Sequence, residues 1–317
     1  MIGASYAQDI RAVYSISSMI RILGTIFGGL LGLAFGSFLN VCLSRWPEGE
    51  SIVHPRSHCW SCGRTLAWWE NVPLVSWMAL RGRCRSCGAW ISVRYPLVEL
   101  AVGALWAMVA WLNLGSISGP MYFDFLWTTA ILSLSQMILL WLLIALAALD
   151  FEHLWLPNKI TIPGIVGGFV ATLVYAAANS KHVFAFYGAS ALRARFIWHV
   201  TWQRLLDIIV AAGVILVTRW LYWLLRHREG VGLGDAKLMA MLGAWLGLPG
   251  ALLSFFVAVM LGAIAALVLL ALPSTRERNE SWAHMKMPLG TFLCVGGIVS
   301  SLWGEPIVHA YLRWAGF

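Results

Sequence analysis

Long apolar stretches free of charge follow one another along most of the chain, separated by short polar segments. They cover residues 22–44, 100–123, 125–149 and 160–180, and a fifth, 208–225, is interrupted only by Arg219. Each falls in the range of about 17 to 25 residues that carries a helix across a hydrocarbon core of about 30 Å. The run 238–275 is too long for one such helix and holds the breaker Leu248-Pro249-Gly250 in its first half. It reads as two spans, the first unusually short, and residues 287–304 supply an eighth. The pattern predicts an all-α polytopic membrane protein with about eight transmembrane helices. Its expected organisation is an N-terminal segment and first helix over 1–44, a polar insert over 45–96, and a seven-helix membrane domain over 97–317 with an outer-side loop near 179–204.

Composition agrees with this pattern. The chain is 60% hydrophobic and 11% charged, where soluble domains have about 45 to 50% apolar and about 25% charged residues. A water-soluble fold and a disordered chain are both excluded. The net charge of +8 raises the question of nucleic acid, but the basic residues sit in short loops and form no continuous face, so no nucleic-acid partner is expected. Their distribution instead sets topology. Most of the 22 Lys/Arg, among them Arg45, Arg56, Arg64, Arg81, Arg83, Arg85 and Arg94, fall on one side, which is expected to be cytoplasmic. Both termini then lie outside. Residues 1–20 carry one basic residue, Arg11, and no apolar segment ending in a small-residue cleavage site, so the first span is expected to be retained. The outer stretch from Asn179 to Arg204 contains no motif that assigns it a role.

Four of the six cysteines form two CxxC pairs, Cys59/Cys62 and Cys84/Cys87, separated by residues 63 to 83. Two CxxC turns can present four thiolates to one tetrahedral Zn²⁺, and a Cys₄ site leaves no open position for catalysis. The pairs therefore read as a structural zinc clip for an insert too small to hold its own core, with a disulfide as the alternative. A cytoplasmic insert keeps its thiols reduced, which favours zinc. His54 and His58 read as loop histidines, and Cys42 and Cys294, in apolar runs, as buried packing residues.

Two carboxylates stand out by position. Asp150 ends the third span in Leu149-Asp150-Phe151-Glu152, and Asp235 ends Gly232-Leu233-Gly234-Asp235 at the entrance of the short sixth span. Ionisable groups bordering spans are costly to bury and mark functional sites; the plainer reading makes each a helix cap at the water boundary. Two close aspartates cannot both ionise readily, so one retains a proton while the other acts as base. A water between them can be deprotonated to attack a peptide carbonyl while the protonated partner donates to the developing oxyanion. Gly232 and Gly234 allow non-helical backbone and close approach of an extended substrate. Lys237 either biases a neighbouring carboxylate toward ionisation or snorkels as a topology charge.

With these residues in place, further stretches become informative. Gly36-Ser37-Phe38-Leu39-Asn40-Val41, Arg45-Trp46-Pro47, the four cysteines, Trp69-Glu70-Asn71-Val72-Pro73-Leu74-Val75-Ser76-Trp77, Arg94-Tyr95-Pro96-Leu97-Val98-Glu99-Leu100, Asp150 with Leu156-Pro157, and Gly234-Asp235-Ala236-Lys237-Leu238 together resemble the type IV prepilin peptidases over roughly residues 30 to 300. The resemblance implies a bifunctional inner-membrane enzyme. Such an enzyme cuts the short basic leader from prepilins and type II secretion pseudopilins on the cytoplasmic side, typically after a glycine. It then N-methylates the new N-terminal residue using S-adenosylmethionine. The resemblance also implies that Asp150 and Asp235 are catalytic, that the cysteine tetrad belongs to the domain tied to bifunctionality, and that Glu70 and Gly82 mark the methylation region. Methyl transfer rests on the resemblance alone, because no glycine-rich nucleotide loop follows a strand.

The chain departs from the family pattern at Asn158, where many relatives carry Asp; this leaves Asp150 as the partner of Asp235. The outer stretch is also longer. Among acidic loop residues, Glu48, Glu50, Glu70, Glu152 and Glu229 are candidates to contact a cationic leader, with membrane lipid around the apolar helix of the pilin. Two rival classes remain open on the residues alone. A cation-coupled transporter would use Asp150 and Asp235 as ion sites but gives no reason for the CxxC insert. A secretion adaptor would use the zinc domain for binding and the aspartates as caps.

Overall fold

The computed structural model describes residues 2–115, 122–184, 190–227, 232–271 and 288–316. Apart from two isolated bridges, regular structure among these residues is helical: α1 (Ile2–Arg45), α2 (Val75–Ala79), α3 (Arg94–Gly115), α4 (Tyr122–His153), α5 (Asn158–Phe184), α6 (Ser190–Arg226), α7 (Leu233–Ala271) and α8 (Leu289–Trp314). Seven of them are long and apolar enough to cross a membrane. Helices are what such sequences must form in lipid, where every backbone N–H and C=O has to find its partner within the segment. Large apolar side chains such as Phe27, Trp127, Phe256 and Leu267 remain exposed along these helices, as lipid-facing positions do. The chain divides into two compact units, Met1–Ala145 and Leu146–Phe317, with α4 contributing to each.

In the first unit α1 and α3 meet along a seam of small residues. Gly28, Gly32 and Gly36 recur every four positions on one face of α1. A Cβ at Gly32 would lie 2.9 Å from the Cα of Gly103, and one at Gly36 would lie 2.7 Å from the Cα of Glu99. Such close approach of backbones is how membrane helices gain packing that lipid cannot replace. On α4, Trp141 donates its indole N–H to the Phe35 carbonyl at 3.1 Å, and Trp106 on α3 donates to the Met137 carbonyl at 3.0 Å. Between α1 and α3 the polar insert carries a 3₁₀ turn, Trp68–Asn71, and the short α2.

The second unit contains the eight-against-seven difference between expected spans and observed helices. The expected sixth and seventh spans are two arms of α7, which breaks at Gly247 with φ 73° and ψ 175°. Contacts with α8 show that the chain reverses there. Leu156 packs against both Gly234 and Gly290, so the first arm and α8 start at the same level. Just past the break, the Gly250 carbonyl accepts from the Ser300 hydroxyl at 2.9 Å, and further on Gly296 lies against Ser254 and Gly262 against Phe292. The second arm therefore passes α8 in the opposite direction. Pro249 occupies the opening turn of that arm, where its missing N–H costs nothing. The first arm is about 21 Å long at about 1.5 Å per residue. It is almost wholly enclosed: Leu238, Met239, Met241, Leu242 and Ala244 are fully buried. The polar stretch near 179–204 is largely taken up by the ends of α5 and α6, where Arg193 donates to the Ser180 hydroxyl at 3.0 Å.

Gly247 occupies a backbone region open essentially to glycine alone. A Cβ there would also lie 2.7 Å from Arg204 Nη1, which donates to the Gly243 carbonyl at 3.3 Å and sits 3.6 Å from Asp207 Oδ2. We predict that Gly247→Val costs about 1 to 3 kcal/mol from backbone strain and lowers the apparent melting temperature of the detergent-purified protein. An unchanged melting curve would show that the reversal does not depend on this conformation.

Candidate functional site

Asp150 lies in the last turn of α4 and Asp235 in the first turn of α7, and both are buried, at 6% and 8% exposure. They are near enough for the charge of Asp150 to act on Asp235. Each is held by the N-terminus of a helix, where unpaired N–H groups and the helix dipole favour negative charge. Asp150 Oδ2 accepts from the backbone N–H of Thr291, in the first turn of α8, at 2.7 Å, and from the Thr291 hydroxyl at 3.1 Å. Asp235 Oδ2 accepts from the Gly232 N–H at 3.2 Å, the reach-back half of a capping box. Among the described residues, Oδ1 of each aspartate takes no hydrogen bond, so each carboxylate keeps one oxygen for other chemistry.

Of the two glycines expected to allow non-helical backbone, Gly232 is non-helical and Gly234 lies within α7. Gly234 is helical, and its Cβ would lie 3.0 Å from Leu156 Cβ; glycine lets Leu156 close against the head of α7. Gly232, just ahead of the helix, is exposed and supplies the N–H to Asp235. Lys237 donates to the Asn158 side-chain oxygen at 2.6 Å. The departure at Asn158 is thus a neutral acceptor for this lysine. Cys294 lies fully buried on α8, within electrostatic reach of both aspartates.

Gly290 and Thr291 are site residues that the sequence reading missed. A Cβ at Gly290 would lie 2.9 Å from Asp150 Oδ2. The signal was available: Pro288, Gly290 and Thr291 open an apolar run, and a proline with small residues at a helix start marks a cluster of free N–H donors.

In the first unit the four predicted cysteines converge. The sulfurs of Cys59, Cys62, Cys84 and Cys87 all lie within 4.8 Å of one another, with none in a disulfide. Each pair sits on a turn built in the same way. The Cys59 N–H donates to Arg64 and the Gly63 N–H to Cys59, and the Cys84 N–H donates to Ala89 and the Gly88 N–H to Cys84. Gly63 and Gly88 take φ of 70° and 71°, and open space surrounds both. Backbone N–H groups of Cys87 and Ser86 pull the Cys84 thiol down to about 6, so it is readily a thiolate. A tetrahedral zinc with Zn–S of about 2.3 Å needs sulfurs about 3.8 Å apart, and Cys59 and Cys87 stand 3.8 Å apart. The donor set fits zinc. No histidine joins the cluster among the described residues; the His58 ring lies 3.1 Å from the Arg56 carbonyl instead.

Glu70 is buried and fully engaged: Oε2 accepts from the Ala67 N–H at 2.7 Å and Oε1 pairs with Arg64 at 2.5 Å. Both partners hold its carboxyl below the ordinary value, the Ala67 N–H most strongly. It is therefore a weak proton acceptor that ties the 3₁₀ turn to the first CxxC turn. Gly82 takes φ 67°, and its Cβ would lie 2.9 Å from the Trp77 ring, so both the turn and the indole packing need glycine. Beside these residues a cavity of about 390 Å³ opens between the insert and the ends of α1 and α3, within the range of small-molecule sites. Aromatic side chains wall it, and buried Asn40 and Glu99 lie on its floor. Glu48 and Glu50 lie before the tetrad and Glu152 beside Asp150, whereas Glu229 falls outside the described residues.

Residues 30–113 match the sequence profile described as the bacterial peptidase A24 N-terminal domain, and residues 137–267 match that of the type IV leader peptidase family. The chain is similar to the prepilin leader peptidase/N-methyltransferase of Pseudomonas aeruginosa, with 34% identity across 91% of this chain and 93% of that protein. It is similar to proteins of the same description from Stutzerimonas stutzeri, 32% identical over 90% and 93% of the two chains, and from Myxococcus xanthus, 38% identical over 82% and 67%. No solved structure matches significantly.

For the sulfur cluster, native mass spectrometry is expected to find one Zn²⁺ per chain, lost when Cys59 and Cys62 are both changed to Ser. Metal-free protein carrying Cys59–Cys62 or Cys84–Cys87 disulfides would refute the zinc assignment.

Proposed function

Because the chain belongs to the type IV leader peptidase family, peptidase A24, we propose that Asp150 and Asp235 are the catalytic pair of this enzyme. The protein is a prepilin leader peptidase/N-methyltransferase of aspartic type, with several membrane-spanning helices. Family membership leaves the transporter and adaptor readings without a supporting observation. The assignment of the pair rests on one feature: two buried carboxylates, each fixed through Oδ2 by N–H donors at a helix start, each with Oδ1 left over among the described residues. Such a pair shares a proton, and a water held between the free oxygens can be activated by the ionised partner while the protonated one donates to the carbonyl oxygen of the scissile bond. Thr291 and Gly232 orient the two groups, and Gly290 makes room for Asp150.

The Lys/Arg bias supports an inner-membrane orientation with the aspartates and the insert on the cytoplasmic side. There, a basic leader on a prepilin or type II secretion pseudopilin meets Glu152, next to Asp150, while the apolar pilin helix lies in lipid against the spans. Cys59, Cys62, Cys84 and Cys87 hold a structural zinc that shapes the insert. Methylation belongs to the first unit, which contains Glu70 and Gly82; the donor, S-adenosylmethionine, supplies the methyl group when bound. Glu70 contributes by keeping the insert in shape through Arg64 and Ala67.

Replacing Asp150 or Asp235 by Asn removes one member of the acid/base couple. Each variant is expected to lose prepilin cleavage by at least about a hundredfold while remaining folded and membrane-inserted. Near-normal turnover by either purified variant refutes the pair.

The division of labour gives a second test, read as labelled methyl incorporated into pre-cleaved pilin. Glu70→Gln is expected to impair incorporation and leave cleavage largely intact, and Asp235→Asn to do the reverse. Equal loss of both activities in Asp235→Asn, with normal fold and metal content, would mean one shared site.

A further inference from the structure

The cavity between the insert and the ends of α1 and α3 has features that the zinc clip and the aspartates do not explain. Asn40, at 1% exposure, lines it. Its side-chain N–H donates to the Tyr95 carbonyl at 2.9 Å, which fixes the amide orientation, and its oxygen, Oδ1, has no partner. A buried acceptor without a protein donor is rare and calls for an N–H or O–H from a bound molecule, water included. Glu99, at 7% exposure, lies on the same floor, and its partners are neutral donors, the Leu74 N–H at 2.7 Å and the Ser37 hydroxyl. Its charge is thus not matched as that of Glu70 is by Arg64. Three indoles, Trp60, Trp77 and Trp90, form walls, and Trp60 and Trp90 are each 65% exposed. Aromatic faces around a carboxylate attract an organic cation and stack a flat ring.

We propose that this cavity is the S-adenosylmethionine pocket, with Asn40 Oδ1 and Glu99 as its polar floor. The inference rests on the N-methyltransferase reading and deepens it. The donor's chemistry fits each feature: a purine with an amino group for stacking and for the orphan acceptor, and cationic sulfonium and ammonium groups for Glu99 and the indole faces. The cavity volume suits a ligand of that size. Asn40 and Glu99 come from α1 and α3, joined by the glycine seam, while the tryptophans come from the zinc-clipped insert. The clip therefore acts on methyl-donor binding by holding the walls over the floor.

Equilibrium binding of radiolabelled S-adenosylmethionine to the detergent-purified, zinc-loaded full chain tests this. Asn40→Leu, close in volume but lacking the acceptor, is expected to weaken binding about tenfold with unchanged zinc content and melting temperature. Glu99→Gln is expected to weaken S-adenosylmethionine more than S-adenosylhomocysteine, which lacks the sulfonium charge. Should the variants fold poorly, ultraviolet crosslinking of the label to the wild-type chain decides: label on peptides within 37–45 or 60–99 supports the pocket, and label confined to residues 146–317 overturns it. Wild-type affinity in well-folded Asn40→Leu and Glu99→Gln, with pre-cleaved pilin still methylated by the wild-type chain, overturns this pocket alone. A wild-type chain that neither binds the donor nor methylates overturns the N-methyltransferase reading together with it.

Discussion

Two ionisable groups buried at the ends of apolar helices need hydrogen-bond donors that lipid cannot provide, and the second unit is arranged to supply them. Asp150 borrows the first turn of α8 and Asp235 that of its own helix, so the positive ends of two helices meet one pair of carboxylates. This requirement explains residues far apart in sequence. Gly290 leaves room for the Asp150 carboxylate, Gly234 lets Leu156 close between the two helix starts, and the reversal at Gly247 brings the chain back to the level from which α8 begins.

The first unit solves a different problem with different means. Its insert has two short helical turns and little apolar interior, so four sulfurs and the Glu70–Arg64 pair do the work that a core does elsewhere. The two CxxC turns repeat the same backbone bonds, each ending in a glycine with positive φ. Below them, α1 and α3 approach at backbone distance through Gly32, Gly36 and Gly103, a rigid base for a small, clipped roof.

Much of this was legible in the sequence because membrane helices and metal turns are written locally. The charge-free runs located the spans, and Leu248-Pro249-Gly250 marked the reversal within a few residues of Gly247. The CxxC spacing gave the sulfur cluster, and the position of Asp150 and Asp235 at span ends singled out the pair. What local reading could not give was long-range pairing. Nothing in the neighbourhood of Asp150 announces Thr291, and nothing beside Lys237 announces Asn158 as its acceptor. Glu70 stood among the candidates to contact a cationic leader because Arg64 and Ala67 act on it only once the turn has formed.

The enclosure of the first arm of α7 has a consequence for how it meets lipid. At about 21 Å the arm falls short of a hydrocarbon layer of about 30 Å, yet its side chains are buried among other helices, so the shortfall is made up by protein and not by a deformed bilayer. A helix shielded in this way is released from the length rule that governs lipid-facing spans. Its head, with Asp235 in the first turn, is therefore not obliged to lie at the water boundary.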